Sequence, residues 1–130
     1  MPFDGPAHVV ADVLIKLGID PRDRLAEHDQ DAEYTSCQTE EIPSYFDLYM
    51  QGELESDERA VLCCFLLEGL NELIHAGTSH PLQAAIFNAL FDAEASHRAE
   101  LAYWMDTSDP EEANWWPITR ALLQSKKARS

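Results

Sequence analysis

Apolar side chains recur at helical spacing from the start of the chain. Residues 4–6 carry an Asp and a Pro that signal a helix start, and Gly18 is a stop signal. Between these signals, the spacing predicts one apolar helix face formed by Val9, Val10, Val13, Leu14 and Leu17. The Asp20–Pro21 dipeptide repeats the start signal, which predicts a second short helix around Leu25.

The middle of the chain changes character twice. Residues 30–41 lose periodicity and become polar, which predicts a long acidic loop. Pro43 then starts a short apolar helix that should end near Gly52. Residues 59–76 are nearly apolar over two turns and amphipathic after that, so we expect them to form the central buried helix.

The second half of the chain is more regular. Gly77 ends the central helix, and His80–Pro81 begins another that should run along one apolar side to Trp104. We expect the two to pack as a central antiparallel hairpin. Asp109–Pro110 caps a last helical segment. No stretch alternates with a period of two, so the pattern predicts an all-α fold of about five to six helices.

Composition sets the size and class of the protein. The chain has 130 residues, 45% of them apolar, and a net charge of −15. It is too hydrophobic to be disordered, so we expect one compact acidic domain spanning residues 1–130. The longest apolar run, Ala60–Leu67, is far shorter than the roughly 20 residues that span a bilayer. With no signal pattern at the N-terminus, the sequence predicts a soluble cytoplasmic protein without membrane contact.

The three cysteines form no disulfide framework. Cys63 and Cys64 are adjacent within the apolar run, and Cys37 stands alone in a polar setting. Such usage suits a reducing compartment, and the adjacent pair should be buried and inert.

Charge is distributed unevenly. From Leu25 to Glu58 there is no Lys or Arg, while eleven Asp and Glu residues accumulate. Like charges at this density destabilise the compact state, which favours a positively charged partner. The same charge argues against direct nucleic-acid binding, which requires a basic surface. Four of the nine basic residues fall within residues 120–130, and we expect this basic tail to be frayed or to cap a helix end.

Motifs for catalysis are sparse. Glu94 and His97 have the Glu-x-x-His spacing of di-metal helical bundles, which need two copies and two further glutamates. Glu68 and Glu72 are candidate carboxylates, but no second histidine has matching spacing. No cationic neighbour in sequence activates Cys37, and there is no glycine-rich phosphate loop. We therefore expect no enzymatic activity, no metal and no cofactor.

Acidic and aromatic residues mix between Tyr34 and Glu58, as they do in protein interfaces. The predicted partner-binding residues are Glu40, Glu41, Tyr45, Asp47, Tyr49, Glu53, Glu55 and Asp57. In the purely structural alternative, Phe46, Leu48 and Met50 pack inward while the acids solvate a loop. A second acidic stretch runs from Glu100 to Glu112, with Trp104, Trp115 and Trp116 nearby. Either it extends the same surface or those tryptophans only close the core.

In these compositional features the chain resembles the immunity proteins that neutralise interbacterial toxins. The resemblance covers the whole chain but rests on no signature in residues 40–49 or 114–118, so no residue roles are carried over. It implies occlusion of a toxin's basic active site by acidic side chains. One alternative is a secretion chaperone or adaptor, which usually dimerises and holds an extended segment of its client. The third hypothesis is a metal-dependent helical enzyme that uses Glu94 and His97.

Overall fold

The computed structural model of the protein describes residues 7–23, 38–51 and 53–129. Within these ranges every regular element is helical, which confirms the predicted all-α single domain. The α-helices are α1 (Ala7–Lys16), α2 (Ile42–Gln51), α3 (Ser56–His75), α4 (Gln83–Asp92), α5 (Arg98–Trp104) and α6 (Thr119–Ala128). Single 3₁₀ turns occur at Pro21–Asp23, Thr39–Glu41, Glu94–Ser96 and Glu112–Asn114. No helix among the described residues combines the length and apolarity needed to cross a bilayer.

Helix α3 is the centre of the domain, as its apolar sequence predicts. Every residue from Val61 to Leu67 is buried, including Cys63 and Cys64. A run that is buried on all sides needs neighbours on all sides, and α1 and α2 supply the main contacts. The prediction of a central buried helix with two buried thiols is confirmed.

The predicted central hairpin is not confirmed. Gly77, at φ +83°, ends α3 and turns the chain, but α3 packs mainly against α1 and α2, whereas α4 packs mainly against α6. The single helix predicted from Pro81 to Trp104 is wrong, because the chain breaks into α4, a 3₁₀ turn and α5. Ala93 and His97 have φ values of −107° and −118°, outside the helical range. The break turns the His97 side chain into the core, where it is 1% exposed.

The basic tail forms a helix rather than a frayed end. Helix α6 extends to Ala128, and Ile118 and Leu122 bury its apolar face. Arg129 then donates hydrogen bonds to Asn88 and Asp92 of α4. The tail is therefore docked on the domain.

The predicted segments between α1 and α2 are described only at their ends. Gly18, at φ +80°, ends α1 as predicted. The short helix expected around Leu25 lies outside the described residues, apart from the 3₁₀ turn Pro21–Asp23 before it. Residues 30–37 of the expected acidic loop also lie outside them, and residues 39–41 form a 3₁₀ turn. Tyr34 and Cys37 lie outside the described residues.

Candidate protein-binding surface

The two tyrosines predicted to anchor a partner lie in the core. Ile42, Tyr45 and Tyr49 occupy positions i, i+3 and i+7 of α2, which is one face of a helix, and all three are buried. The Tyr45 ring contacts that of Phe65 on α3, with centroids 5.1 Å apart. The prediction that Tyr45 and Tyr49 contact a partner is therefore wrong, because a bound protein cannot reach either ring without unpacking α2.

The hydroxyl of Tyr45 fixes the start of α2. It accepts a hydrogen bond from the backbone N–H of Gln38 (2.8 Å) and donates one to Glu41 Oε1 (2.9 Å). Glu41 is half-buried as a result. This predicted interface carboxylate thus has a structural role in holding α2 against the preceding turn.

With its tyrosines inward, α2 exposes a different set of residues. Met50 is 60% exposed and Asp47 is also exposed, while Phe46 and Leu48 are partly buried. The structural alternative, in which Phe46, Leu48 and Met50 all pack inward, therefore fails at Met50. An exposed Met is an adaptable apolar contact, often used at binding surfaces.

Five of the predicted carboxylates share an exposed setting around α2 and the start of α3: Glu40, Asp47, Glu53, Glu55 and Asp57. We call these five residues and Met50 the acidic surface. Residues 38–57 contain no Lys, Arg or His. Within the described ranges, Asp47, Glu53 and Asp57 form no ion pair. No described cation therefore neutralises these three carboxylates directly.

The nearby cation Lys16 is already used by another carboxylate. Its Nζ lies 2.8 Å from Glu58 Oε2, and Glu58 is buried. The Glu58 carboxylate also accepts the backbone N–H of Glu55 (3.0 Å), in a capping box at the start of α3. Burial raises the pKa of Glu58, but the hydrogen bonds from Lys16 and Glu55 outweigh it and leave that pKa below its usual value. Glu58 is a structural member of the acidic segment.

Three carboxylates near α6 are paired, in contrast to Asp47, Glu53 and Asp57. Asp92, Glu94 and Glu112 form ion pairs with Arg129, Lys126 and Arg120, respectively. Three of the four tail cations are therefore held by acids of the same chain. The tail thus neutralises acids in its own part of the molecule and not Asp47, Glu53 or Asp57.

Glu94 and His97 have different partners in the structure. Glu94 lines an open groove of about 660 Å³ with Arg98 and Lys126, and its Oε1 lies 2.9 Å from Lys126 Nζ. His97 is instead buried, with Nε2 2.7 Å from the Tyr49 hydroxyl. The helix break at residues 93–97 separates their environments. No group of three or more potential ligands among the described residues is placed to hold a metal ion.

A buried polar cluster surrounds the Tyr49–His97 contact. The Arg59 guanidinium lies 5.2 Å from the Tyr49 ring centroid and donates to the Tyr49 carbonyl. Burial and the nearby Arg59 lower the pKa of His97. Burial raises the pKa of Cys63 and of Glu100. These shifts favour the neutral forms of His97, Cys63 and Glu100, and a thiol held protonated is a poor nucleophile.

The tryptophans divide between the core and the surface. Trp104 is buried, Trp115 is half-buried, and Trp116 is 41% exposed. The Trp116 ring centroid lies 5.3 Å from that of Trp104 and 5.6 Å from that of Tyr103. Trp116 is therefore a surface residue with a fixed ring, supported from below by two other aromatic rings.

Neither a family model, nor a curated protein, nor a solved structure matches this chain.

Proposed function

We propose that this protein is a stoichiometric binding inhibitor whose acidic surface docks on a basic protein partner, and that the partner is a toxin domain whose active site it occludes. The charge of Asp47, Glu53 and Asp57, which form no ion pair within the described ranges, supports this proposal most directly. Asp47 lies on α2, Glu53 follows that helix and Asp57 is in the first turn of α3, and all three are exposed, while three of the four cations of the tail pair with other acids. A surface of this sign attracts a basic protein over a distance and raises the association rate.

Inhibition follows from the chemistry of the expected partner. A toxin that acts on nucleic acids or nucleotides needs a basic cleft, because its substrate carries phosphates. Carboxylates such as Asp47, Glu53 and Asp57 would occupy the positions of those phosphates. Met50, on the same helix as Asp47, would add an apolar contact. Cys63 and Cys64 are adjacent buried thiols, so we also propose that the inhibitor works in a reducing compartment, the cytoplasm.

Affinity capture with two baits tests the proposal. One bait is the wild type and the other is Asp47→Lys/Glu53→Lys/Asp57→Lys, both used at low salt in lysate of the source organism. The proposal requires one basic protein that is recovered in equimolar amount by the wild type alone. Recovery of the same proteins by both baits, or of no basic protein, would contradict it.

Co-expression then separates inhibition from chaperoning. Expression of the captured partner should arrest growth of the host, and the wild type, but not the triple variant, should restore it. A partner that keeps its activity while bound would instead identify the protein as a secretion chaperone or adaptor. Circular dichroism of the triple variant checks that the domain remains folded.

A further inference from the structure

Trp116 stands between two grooves outside the acidic surface. One groove, of about 300 Å³, is lined by Trp115, Trp116, Pro117 and the Glu112–Arg120 ion pair. The other, of about 270 Å³, is lined by Asp106, Ser108, Asp109, Asn114, Trp115 and Trp116. The first groove contains a cation beside its carboxylate. The lining of the second contains two carboxylates and no cation.

The carboxylates of the second groove are held in place. Asp106 Oδ1 accepts the backbone N–H of Ser108 (2.8 Å), and Asp109 Oδ1 accepts that of Glu111 (2.9 Å). Asn114 Nδ2 donates to Asp109 Oδ2 (3.1 Å). Hydrogen bonds from Ser108 lower the pKa of Asp106, so this carboxylate is ionised at neutral pH.

The aromatic wall is equally fixed. Trp115 Nε1 donates to the Asp109 carbonyl (2.8 Å), and the Trp116 ring rests on Trp104 and Tyr103. An indole face attracts a cation through its quadrupole, and a carboxylate beside it adds a charge-assisted hydrogen bond. A small groove with one aromatic wall and two anionic residues complements a guanidinium or ammonium group by both shape and charge.

We propose that this groove receives an arginine or lysine side chain of the basic partner and makes Trp116 a second anchor in addition to the acidic surface. The inference rests on the proposed function for the identity of the partner. The groove itself can be tested without that partner. Arginine suits it better than lysine, because a planar guanidinium can stack on the indole while it donates to Asp106.

A peptide titration followed by NMR tests the groove. The probe is Ac-Gly-Arg-Gly-NH₂, the neutral control is the norleucine peptide, and the readout is the indole N–H signal of Trp116, assigned with Trp116→Phe. We expect a saturable shift with the arginine peptide, a weaker one with lysine and none with norleucine. Asp106→Asn keeps the acceptor for Ser108 and should weaken binding at least threefold. Equal shifts with arginine and norleucine, or unchanged affinity in Asp106→Asn, would overturn the proposal.

Two single variants, Asp47→Lys and Trp116→Leu, separate this inference from the proposed function. Asp47→Lys, on α2, should leave the peptide titration at Trp116 unchanged at physiological salt, where charges are screened beyond about 8 Å. With the captured partner, Trp116→Leu should raise the dissociation constant about tenfold and mainly speed dissociation. If Trp116→Leu binds the partner as tightly as the wild type while Asp47→Lys does not, the proposed function stands and the second anchor is refuted.

Discussion

The hydroxyl of Tyr49 lies 2.7 Å from Nε2 of His97, and this buried hydrogen bond joins α2 to the break between α4 and α5. His97 Nδ1 has no hydrogen-bond partner among the described residues. A neutral imidazole makes the bond to Tyr49 in either tautomer, as donor or as acceptor. The contact therefore joins α2, which carries Asp47 and Met50 of the acidic surface, to the C-terminal half of the domain.

A double-mutant cycle measures this coupling. Tyr49→Phe should lower the free energy of unfolding by about 1–3 kcal/mol, because it leaves both imidazole nitrogens unsatisfied. His97→Leu should cost a similar amount, since it leaves the hydroxyl without this partner. The double variant should lose less than the sum, with a coupling of about 1 kcal/mol in urea unfolding. Strict additivity of the two losses would show that the hydrogen bond contributes nothing to stability.

His97 should make the fold sensitive to acid. Its pKa is below the usual 6.5, because burial and Arg59 disfavour the imidazolium. As the pH falls through 6.5, this histidine is protonated in the unfolded chain before it is protonated in the folded one. The contribution of His97 to the free energy of unfolding therefore declines below pH 6.5. His97→Leu should remove this decline from unfolding curves measured between pH 7.5 and 5.5. His75→Leu is the control, because His75 is exposed on α3. An identical decline in wild type and His97→Leu would contradict the assignment.

Glu68 should have the opposite effect on the pH dependence of stability. Burial and repulsion from Glu72, one turn along α3, raise its pKa from 4.5 to about 7. The folded state holds this proton longer than the unfolded state, so stability rises as the pH falls from about 7 toward 4.5. Glu68→Gln should therefore stabilise the protein at pH 8 by on the order of 1–3 kcal/mol and have little effect at pH 4.5. Thermal unfolding at both pH values checks this, with exposed Glu53→Gln as the control.

Asn71 should hold the segment that carries Trp116. Its Oδ1 accepts the backbone N–H of Ile118 (3.0 Å) in a buried position of α3. Asn71→Ala leaves that N–H unsatisfied, so we expect a loss of about 1–3 kcal/mol in unfolding free energy and increased amide exchange at the start of α6. The matched control is Asn88→Ala, because Asn88 is exposed and bonds only the side chain of Arg129 among the described residues. Equal losses in the two variants would refute this role.

Much of the helical framework is predictable from local sequence. Apolar spacing located α1 and α3, and a glycine marked the C-terminal end of each helix. The inward orientation of the tyrosines could also have been predicted, because Tyr45 and Tyr49 share one helix face with Ile42. They were assigned to an interface instead because of their polar hydroxyl groups. The break at residues 93–97 was not predictable, because the apolar helical spacing continues through it and the contact of His97 there is with Tyr49, 48 residues away.

The acidic surface was predictable in part. Its exposed carboxylates follow from the charge pattern, whereas the structural roles of Glu41 and Glu58 depend on Tyr45 and Lys16. The capping box of Glu55 and Glu58 at the start of α3 has Glu where Ser or Thr is usual, so the sequence alone did not indicate it. The exposure of Met50 and Trp116 required the fold, because periodicity does not tell which apolar residues remain uncovered.

Electrostatic steering by the acidic surface is the central claim, and the association rate of the captured partner tests it most directly. Asp47→Lys and Glu53→Lys are compared with Glu72→Lys, which changes net charge equally but lies roughly 22 Å along α3 from Asp57. Stopped-flow mixing at rising salt should show association slowed about tenfold or more by the first two variants at low salt, with the difference shrinking as salt increases. Equal slowing by all three variants would contradict docking at this surface.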